Sequence, residues 1–235
     1  MPYRELASFY DLLLGGVPGE YWVGLIEDLL NRWNYKVRTI AELGCGTGVI
    51  LEKLATQGYQ LYGVDISPEM LAVAQTKKIK NTRFLFQDIV NLKLPEKVDL
   101  IFAFHDCLNY LKSKENLYKC FYQVKNNLKE QGLFYFDLNR LEWLLDLDIK
   151  PGELILDNII LNWTGKFSND KFLIELRIFN RVCEKASYEQ HELSLFQPEE
   201  VLKFLSDLNF SVLSVNHTAT RSFYLAVKGV DGNER

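Results

Sequence analysis

Short apolar runs rich in β-branched and aromatic residues alternate, over the first 140 residues, with segments whose apolar positions repeat at helical spacing. The runs predict strands at 37–43, 60–65, 82–86, 98–104 and 132–138. The periodic segments predict helices at 49–57, 68–78 and 114–129. Ser67 and Pro68 are typical of a helix start, and Gly132 in "EQG" is the expected end of the third helix. Strands alternating with helices predict a parallel sheet covered by helices on both faces.

The pattern changes after the fifth predicted strand. Residues 153–195 contain β-prone runs without a helical segment between them, which predicts an antiparallel meander inserted into the α/β framework. "SNDK" at 168–171 is a candidate hairpin turn in this insert. "QPEEVLKFLSDLNF" then predicts a helix, and "FSVLSVNH" and "SFYLAVK" predict two final strands.

Composition and charge limit the function classes. The 235 residues are 48% hydrophobic and 25% charged, which is ordinary for a globular protein, and the net charge is −4. The densest basic run, residues 77–80, is typical of the solvated end of a helix, so we expect no nucleic-acid partner. Cys45, Cys107, Cys120 and Cys183 lack the spacing of zinc ligands. We therefore expect free thiols and no metal site.

The N-terminal stretch and the longest apolar runs bear on location. Arg4, Glu5 and Asp11 interrupt the region where a signal peptide needs a continuous apolar core. No run approaches the ~18 uninterrupted apolar residues of a membrane helix. We expect a cytoplasmic protein without a membrane partner.

Gly44, Gly46 and Gly48 lie on the turn between the first strand and the first helix, preceded by Glu42. Open α/β sheets bind ligands at such turns, where glycines let ligand atoms approach the main chain. Asp65 follows at the end of the second strand, where a carboxylate can accept hydrogen bonds from the vicinal hydroxyls of a ribose. Asp88 ends the third strand, where it could accept a hydrogen bond from an adenine amino group or cap a turn.

Four motifs together, "ELGCGTG", "VDISPEML", "FQDI" and "VDLIFAFHDCLNYL", resemble successive motifs of class I S-adenosylmethionine-dependent methyltransferases. "YxxLAxxYDLL" at the N-terminus and "KEQGLFYFDLN" fit the small-molecule branch of the same group. The resemblance covers residues 3 to about 140 well, and the meander only loosely. It implies an α/β fold with a Rossmann-like, seven-stranded, mostly parallel sheet, helices on both faces and a small antiparallel β insert.

We therefore expect a single domain over 1–235. Its parts would be an N-terminal helical cap (1–35), a cofactor-binding α/β core (36–150), the β insert as an acceptor lid (151–196), and a C-terminal helix with the last two strands of the core sheet (197–235).

The resemblance implies S-adenosylmethionine as cofactor and assigns residues to it. Gly44 and Gly46 would lie under the methionine part, Asp65 on the ribose, and Met70 or Ile66 against the adenine. Asp88 would hold the adenine amino group beside the backbone of Ile89, while Tyr10 would close over the cofactor. The full expected set is Tyr10, Glu42, Gly44, Cys45, Gly46, Gly48, Asp65, Ile66, Met70, Gln87, Asp88, Ile89, His105 and Asp106.

The expected acceptor is a small molecule methylated at nitrogen or oxygen. Methyl transfer depends chiefly on alignment, so a general base is optional. His105, at the end of the fourth strand and with a near-neutral intrinsic pKa, is the candidate base, although a hydrogen-bonded edge histidine is an equal alternative. Asn109, Trp163 and His191 are candidate acceptor contacts, with loop packing the alternative for Asn109 and sheet stabilisation for His191.

Two other functions remain open at this point. A nicotinamide-dependent dehydrogenase is disfavoured because Val49 takes the place of the third glycine and because Asp88 has no part in that role. A non-catalytic protein that binds S-adenosylmethionine would share the motifs, since a fold does not fix a function. The sequence does not predict the oligomeric state.

Overall fold

The computed structural model describes residues 3–13, 19–168 and 171–230, and for residues 147–149 it describes the backbone only. Its helices are α1 (Tyr10–Leu13), α2 (Gly19–Trp33), α3 (Val49–Leu54), α4 (Pro68–Thr76), α5 (Lys114–Asn127), α6 (Leu141–Ile149) and α7 (Pro198–Asp207). Short 3-10 turns cover Ala7–Phe9, Ala55–Gln57, Ile89–Asn91 and Cys107–Tyr110.

Seven strands form the main sheet: β1 (Thr39–Leu43), β2 (Gln60–Asp65), β3 (Thr82–Phe86), β4 (Val98–Ala103), β5 (Leu128–Asn139), β10 (Phe210–His217) and β11 (Arg221–Lys228). Their order is β10-β11-β5-β4-β1-β2-β3, and β11 runs antiparallel to both of its neighbours while the other pairs are parallel. The seven-stranded, mostly parallel α/β sheet is confirmed. The strand order reverses between β1 and β4, which opens a crevice at their carboxyl ends.

A second sheet contains β6 (Gly152–Leu156), β7 (Ile159–Ser168), β8 (Lys171–Asn180) and β9 (Lys185–Ser194), all antiparallel. The expected antiparallel insert is therefore present, and the run "ELILDNIILNWTGKF" contributes β6 and most of β7 to it. Asp157, at a φ of 45°, turns the chain between them. The two central residues of the expected "SNDK" turn lie outside the described residues, between the paired Ser168 and Lys171.

Apolar side chains fill both faces of the main sheet. One cluster packs β4 and β5 against α5 and α7 through residues such as Phe121, Phe134 and Leu205. The other packs the opposite face against α2 and α3 through Ile26, Leu51 and others. Burying both faces explains why the parallel strands are almost continuously apolar.

Local signals explain where several helices begin and end. The Ser67 hydroxyl accepts a hydrogen bond from the backbone N–H of Met70 at 3.2 Å, and Pro68 occupies the first helical position of α4. Ser113 caps α5 in the same way through the N–H of Asn116 at 3.3 Å. Gly58, with a φ of 84°, ends the 3-10 turn after α3.

The expected end of the third helix is wrong. Helix α5 ends at Asn127, and the "EQG" segment forms an irregularity within β5, where Gln131 has a φ of 61° and the register with β4 shifts. The Asn127 side chain bonds the backbone of Leu92 and Leu94, which holds the chain at this point. Helix α6 was also not expected from the sequence pattern.

The N-terminal cap is described in two pieces. Residues 7–13 form a 3-10 turn followed by α1, and α2 begins at Gly19. Residues 14–18 of the expected cap lie outside the described residues, as do 1–2 and 231–235. The proposed division of the chain into cap, core, lid and C-terminal part stays a prediction.

Candidate active site

The three glycines after β1 all adopt left-handed backbone conformations. Their φ values are 68°, 52° and 77° at Gly44, Gly46 and Gly48. A Cβ on Gly44 would lie 2.6 Å from Sγ of Cys107, so this position has no room for a side chain. The N–H groups of Gly44 and Cys45 donate to the carbonyl of Val64 at 2.8 and 3.0 Å, which ties the turn to β2. The turn thus presents bare main chain at the crevice.

Asp65, at the end of β2, holds this turn. One carboxylate oxygen accepts the N–H of Gly46 at 2.7 Å, and the other accepts the N–H of Ser67 at 2.8 Å. Burial raises the pKa of Asp65, and these backbone hydrogen bonds lower it by less. Asp65, the residue expected to bind the ribose, therefore lies beside the glycines, on the strand adjacent to β1.

Glu42 is buried one position before the end of β1. Its Oε2 has no hydrogen-bond partner among the described residues, and burial followed by the charge of Asp65 raises its pKa well above the usual range. A carboxyl group with an unused acceptor beside a side-chain-free turn fits a ligand that brings hydrogen-bond donors or positive charge. S-adenosylmethionine carries both, so these residues fit it.

Tyr10 and Met70 cover Gly46. From the position that a Cβ on Gly46 would occupy, Cε of Met70 is 3.4 Å away and Cε1 of Tyr10 is 3.9 Å away. The next residue, Asp11, bonds the Thr47 hydroxyl and forms an ion pair with Lys77 at 2.6 Å. The N-terminal cap is thereby anchored to the glycine turn and to the end of α4, and closure of Tyr10 over the cofactor stays a prediction.

The residues after β3 have local hydrogen-bond partners. Asp88 is exposed and accepts the N–H of Val90 at 3.0 Å, which caps the 3-10 turn that begins at Ile89. Both polar atoms of the Gln87 side chain bond the backbone of Lys93. Ile66 is 48% exposed next to Asp65. The capping alternative for Asp88 is therefore present, and its adenine contact stays a prediction.

His105 does not have the near-neutral pKa expected of a base. Its ring meets the Trp22 ring edge-on, with centroids 4.2 Å apart. Burial, and then the positive charge of Arg221, lower the pKa of His105 to about 4. The imidazole is neutral at physiological pH but is a weak proton acceptor there.

An unexpected ion cluster lies beside His105. Arg221, the first residue of β11, places Nη1 at 2.6 Å from both Asp106 and the fully buried Asp137. The Asp106 side chain is thus bound to Arg221. The backbone of Asp106 itself has a φ of 65°. Arg221 has no motif around it. Asp137 ends an apolar run in "FYFDLN", as Asp65 and Asp88 end theirs, and this signal could have identified it.

Two of the expected acceptor contacts serve in packing. Asn109 is fully buried, donates to the carbonyl of Ser194 at 2.8 Å and accepts the N–H of Asn139 at 3.1 Å. These bonds join β5 to the insert and favour the loop-packing alternative. Trp163 packs in the cluster of Leu6, Phe9 and neighbouring insert residues and lies against Gly152. Acceptor contacts by either residue stay predictions.

His191 is buried on β9 in a polar cluster. Its Nδ1 lies 2.7 Å from the Tyr110 hydroxyl, and its Nε2 lies 3.0 Å from Oε2 of Glu189. The Tyr110 hydroxyl also lies 2.8 Å from that of Tyr3, whose ring meets Tyr10 edge-on. Sequence reasoning did not identify Glu189, although its position two residues before His191 puts both on one face of a strand.

Comparisons with known proteins identify the family of this chain. Residues 40–132 match the family model described as "Methyltransferase domain". A protein of Geobacillus sp. (strain WCH70) that is named a methyltransferase is 32% identical, and the match covers 97% of this chain and all of the relative. The chain belongs to the class I S-adenosylmethionine-dependent methyltransferases. Its cofactor is S-adenosylmethionine.

Two solved structures show the same fold as this methyltransferase. An S-adenosylmethionine-dependent methyltransferase from Clostridium acetobutylicum ATCC 824 superposes with a TM-score of 0.86 at 29% identity, covering 97% of this chain and 99% of the other. A sugar N-methyltransferase from Streptoalloteichus sp. ATCC 53650 gives a TM-score of 0.76 at 17% identity, covering 94% and 93%. Within the described residues of this methyltransferase, every helix is too short or too polar to span a bilayer.

Proposed function

We propose that this methyltransferase transfers the methyl group of S-adenosylmethionine to a nitrogen or oxygen atom of a small molecule. The observation that carries the proposal is a cover over the glycine turn, made jointly by the N-terminal segment and the insert. Tyr10 lies over Gly46, and Glu189 of the insert accepts backbone N–H groups from Tyr3, Glu5 and Leu6. A site closed by two segments suits a small acceptor better than a polymer.

The cofactor would be held by the residues that surround the turn. We assign Asp65 to the ribose, Asp88 and the backbone of Ile89 to the adenine amino group, and Met70 or Ile66 to the adenine face. Glu42, Gln87 and Asp106 complete the polar part of this set, and Cys45 and Gly48 its backbone part. The bound cofactor supplies an activated methyl group, so the residues of this chain need to bind, orient and exclude water.

The net charge of −4 also supports a small acceptor over nucleic acid, and a cytosolic location stays a prediction. The sugar N-methyltransferase with the same fold makes amino sugars a sensible first group of acceptors to test, although a likeness at 17% identity shows the fold alone.

The test is release of S-adenosylhomocysteine from S-adenosylmethionine in the presence of single compounds. The panel would contain amino sugars, primary and secondary amines, phenols and hydroxyl compounds, with methylated products detected by a mass gain. We expect turnover with at least one compound of the panel. Turnover only with RNA or a protein added as a control would contradict the small-molecule proposal.

A further inference from the structure

A chain of four side chains leads from the insert to the cover of the glycine turn. Glu189 and His191 lie on the same face of β9, two residues apart, and both are at least 95% buried. Tyr110 from the 3-10 turn after β4 and Tyr3 from the N-terminal segment continue the chain at hydrogen-bond distances of 2.7 and 2.8 Å. Tyr3 then contacts Tyr10, which lies over Gly46.

For a neutral His191 imidazole, the contacts of Glu189 assign one direction to the hydrogen bonds of these four side chains. Glu189 accepts the backbone N–H groups of Tyr3, Glu5 and Leu6, so its oxygens act as acceptors, as those of an ionised carboxylate do. Burial raises the pKa of Glu189, but the hydrogen bonds from His191 and from these N–H groups bring it below its usual range. Nε2 of His191 must therefore carry the proton that it shares with Glu189.

The remaining directions follow from that proton. A neutral imidazole protonated at Nε2 has an acceptor at Nδ1, so the Tyr110 hydroxyl donates to it. Because Tyr110 has then used its hydrogen, it accepts from the Tyr3 hydroxyl at 2.8 Å. Tyr3 has now used its hydrogen as well. The Tyr3 oxygen still has a lone pair that can accept a hydrogen bond from a bound ligand. The Tyr3 ring contacts Tyr10, which lies over the glycine turn.

We propose that Tyr3 receives the hydrogen bond of the methyl acceptor, and that Glu189 and His191, acting through Tyr110, accept the proton that methylation releases. The acceptor is accordingly an N–H or O–H nucleophile and not a tertiary amine, a thioether or a carbon nucleophile. This inference rests on the proposed function and narrows its substrate class. We call Tyr3, Tyr110, His191 and Glu189 together the relay. Tyr3 is its catalytic residue, and the other three are positioning residues.

The step balances in atoms and charge. The acceptor lone pair forms the new bond to the methyl carbon, the carbon–sulfur bond breaks, and its electron pair stays on sulfur. The acceptor proton moves to the Tyr3 oxygen while the Tyr3 proton moves to Tyr110 and the Tyr110 proton to Nδ1 of His191. The resulting imidazolium is next to the Glu189 carboxylate, which stabilises it, as in the triads of hydrolases.

The relay also resolves a difficulty with His105. Its pKa of about 4 makes it a poor proton acceptor at neutral pH. His191 contacts a carboxylate, whereas the charge with the largest effect on the pKa of His105 is the cation of Arg221. The hydrogen-bonded side chains therefore lead to His191 and not to His105.

The first test needs no acceptor. Nitrogen-15 NMR of the full chain labelled in histidine reports which imidazole nitrogen is protonated, and His191→Asn identifies the signal. We expect the proton on Nε2 of His191, with Nδ1 an unprotonated acceptor, and Tyr110→Phe to shift the Nδ1 resonance. A proton on Nδ1 would reverse every hydrogen bond in the chain and overturn the proposal.

The second test uses whichever panel compound is turned over. Tyr3→Phe and His191→Asn should lower kcat by roughly 100-fold, the usual scale of proton-transfer catalysis, with KM and S-adenosylmethionine affinity changed less than about threefold. In His191→Asn the amide oxygen can still accept from Tyr110 but cannot take the proton. Tyr188→Phe, at an exposed tyrosine of the same strand, is the matched control.

An unchanged kcat in Tyr3→Phe or His191→Asn, with the melting temperature preserved, would overturn the relay. Turnover by wild type of tertiary amines or thioethers alone would also overturn it. If wild-type enzyme binds S-adenosylmethionine but methylates nothing in the panel, the small-molecule proposal fails. The NMR result still decides the direction of the hydrogen bonds between Glu189 and Tyr3.

Discussion

Nη1 of Arg221 lies 2.6 Å from Oδ2 of Asp137, and the same nitrogen lies 2.6 Å from Oδ1 of Asp106. Asp137 is fully buried, and its Oδ1 has no partner among the described residues. One cation thus compensates two carboxylates, of which Asp137 lies on β5 and Asp106 lies in the segment that follows β4. This links β11, the antiparallel strand, to the end of β4 and β5 beside the glycine turn.

Removing that cation should destabilise the fold. We expect Arg221→Met to lower the free energy of unfolding by about 3–5 kcal/mol, because it leaves two carboxylates without their partner. Urea denaturation measures the change. Adding Asp106→Asn and Asp137→Asn should restore part of the stability. Arg181→Met, at an exposed arginine, is the control and should change it by less than about 0.5 kcal/mol.

Asp137 should make stability depend on pH. Burial raises its pKa from 3.8 to about 7, more than Arg221 lowers it. The native state therefore holds this proton more tightly than the unfolded chain does, and its contribution to stability is present below pH 4 and is lost as pH rises towards 7. The slope is limited to about 1.4 kcal/mol per pH unit for one group. Unfolding of Asp137→Asn should lose this component, while the exposed Asp207→Asn should keep it.

His105 should remain neutral over the physiological range. With a pKa of about 4, its ring protons should show no titration in NMR between pH 5.5 and 8. Replacing Arg221 by Met removes a nearby cation and should raise this pKa, if the variant remains folded. A midpoint near 6.5 in wild type would show that burial against Trp22 does not control the ring.

Asp65 should contribute strongly to cofactor affinity. Asp65→Ala removes charged hydrogen bonds to a ribose, and we expect a loss of about 1.5–3 kcal/mol in S-adenosylmethionine binding by calorimetry. Asp65→Asn can still accept the N–H of Gly46, so it separates loss of charge from loosening of the turn. Full affinity in both variants would exclude the ribose role.

Asn109 should contribute more to the stability of the fold than to binding of the methyl acceptor. Asn109→Ala leaves the Ser194 carbonyl and the Asn139 N–H without their buried partner, and we expect a loss of about 1–3 kcal/mol in unfolding free energy. Asn116→Ala on the half-exposed start of α5 is the comparison. A stable Asn109→Ala variant with a raised KM for the acceptor would favour the acceptor contact over packing.

The local features of this methyltransferase were readable from sequence. The strands β1 to β4, the cap at Ser67 and the glycine turn at Gly44 to Gly48 depend on neighbouring residues and on alternation of apolar positions. Asp65 was identifiable for the same reason, because the end of a predicted strand fixes which edge of the sheet a residue reaches.

Where local signals competed, the prediction of secondary structure failed. Gly132 resembles a helix end, but pairing with β4 extends β5 back to Leu128 and absorbs "EQG" as an irregularity. The sequence also gave no sign of α6. At Gly132, pairing with a distant strand outweighs the local preference for a helix end.

The sequence by itself determined the α/β fold, the cofactor turn and the carboxylates at the strand ends, since each rests on residues close together along the chain. Only the tertiary structure decided which polar groups meet across it. Tyr3 and Glu189 are separated by 186 positions, and Arg221 and Asp106 by 115, yet each pair is in hydrogen-bond contact. The periodic pattern of apolar residues does not predict such pairs, because burial and three-dimensional packing of separate elements bring them together.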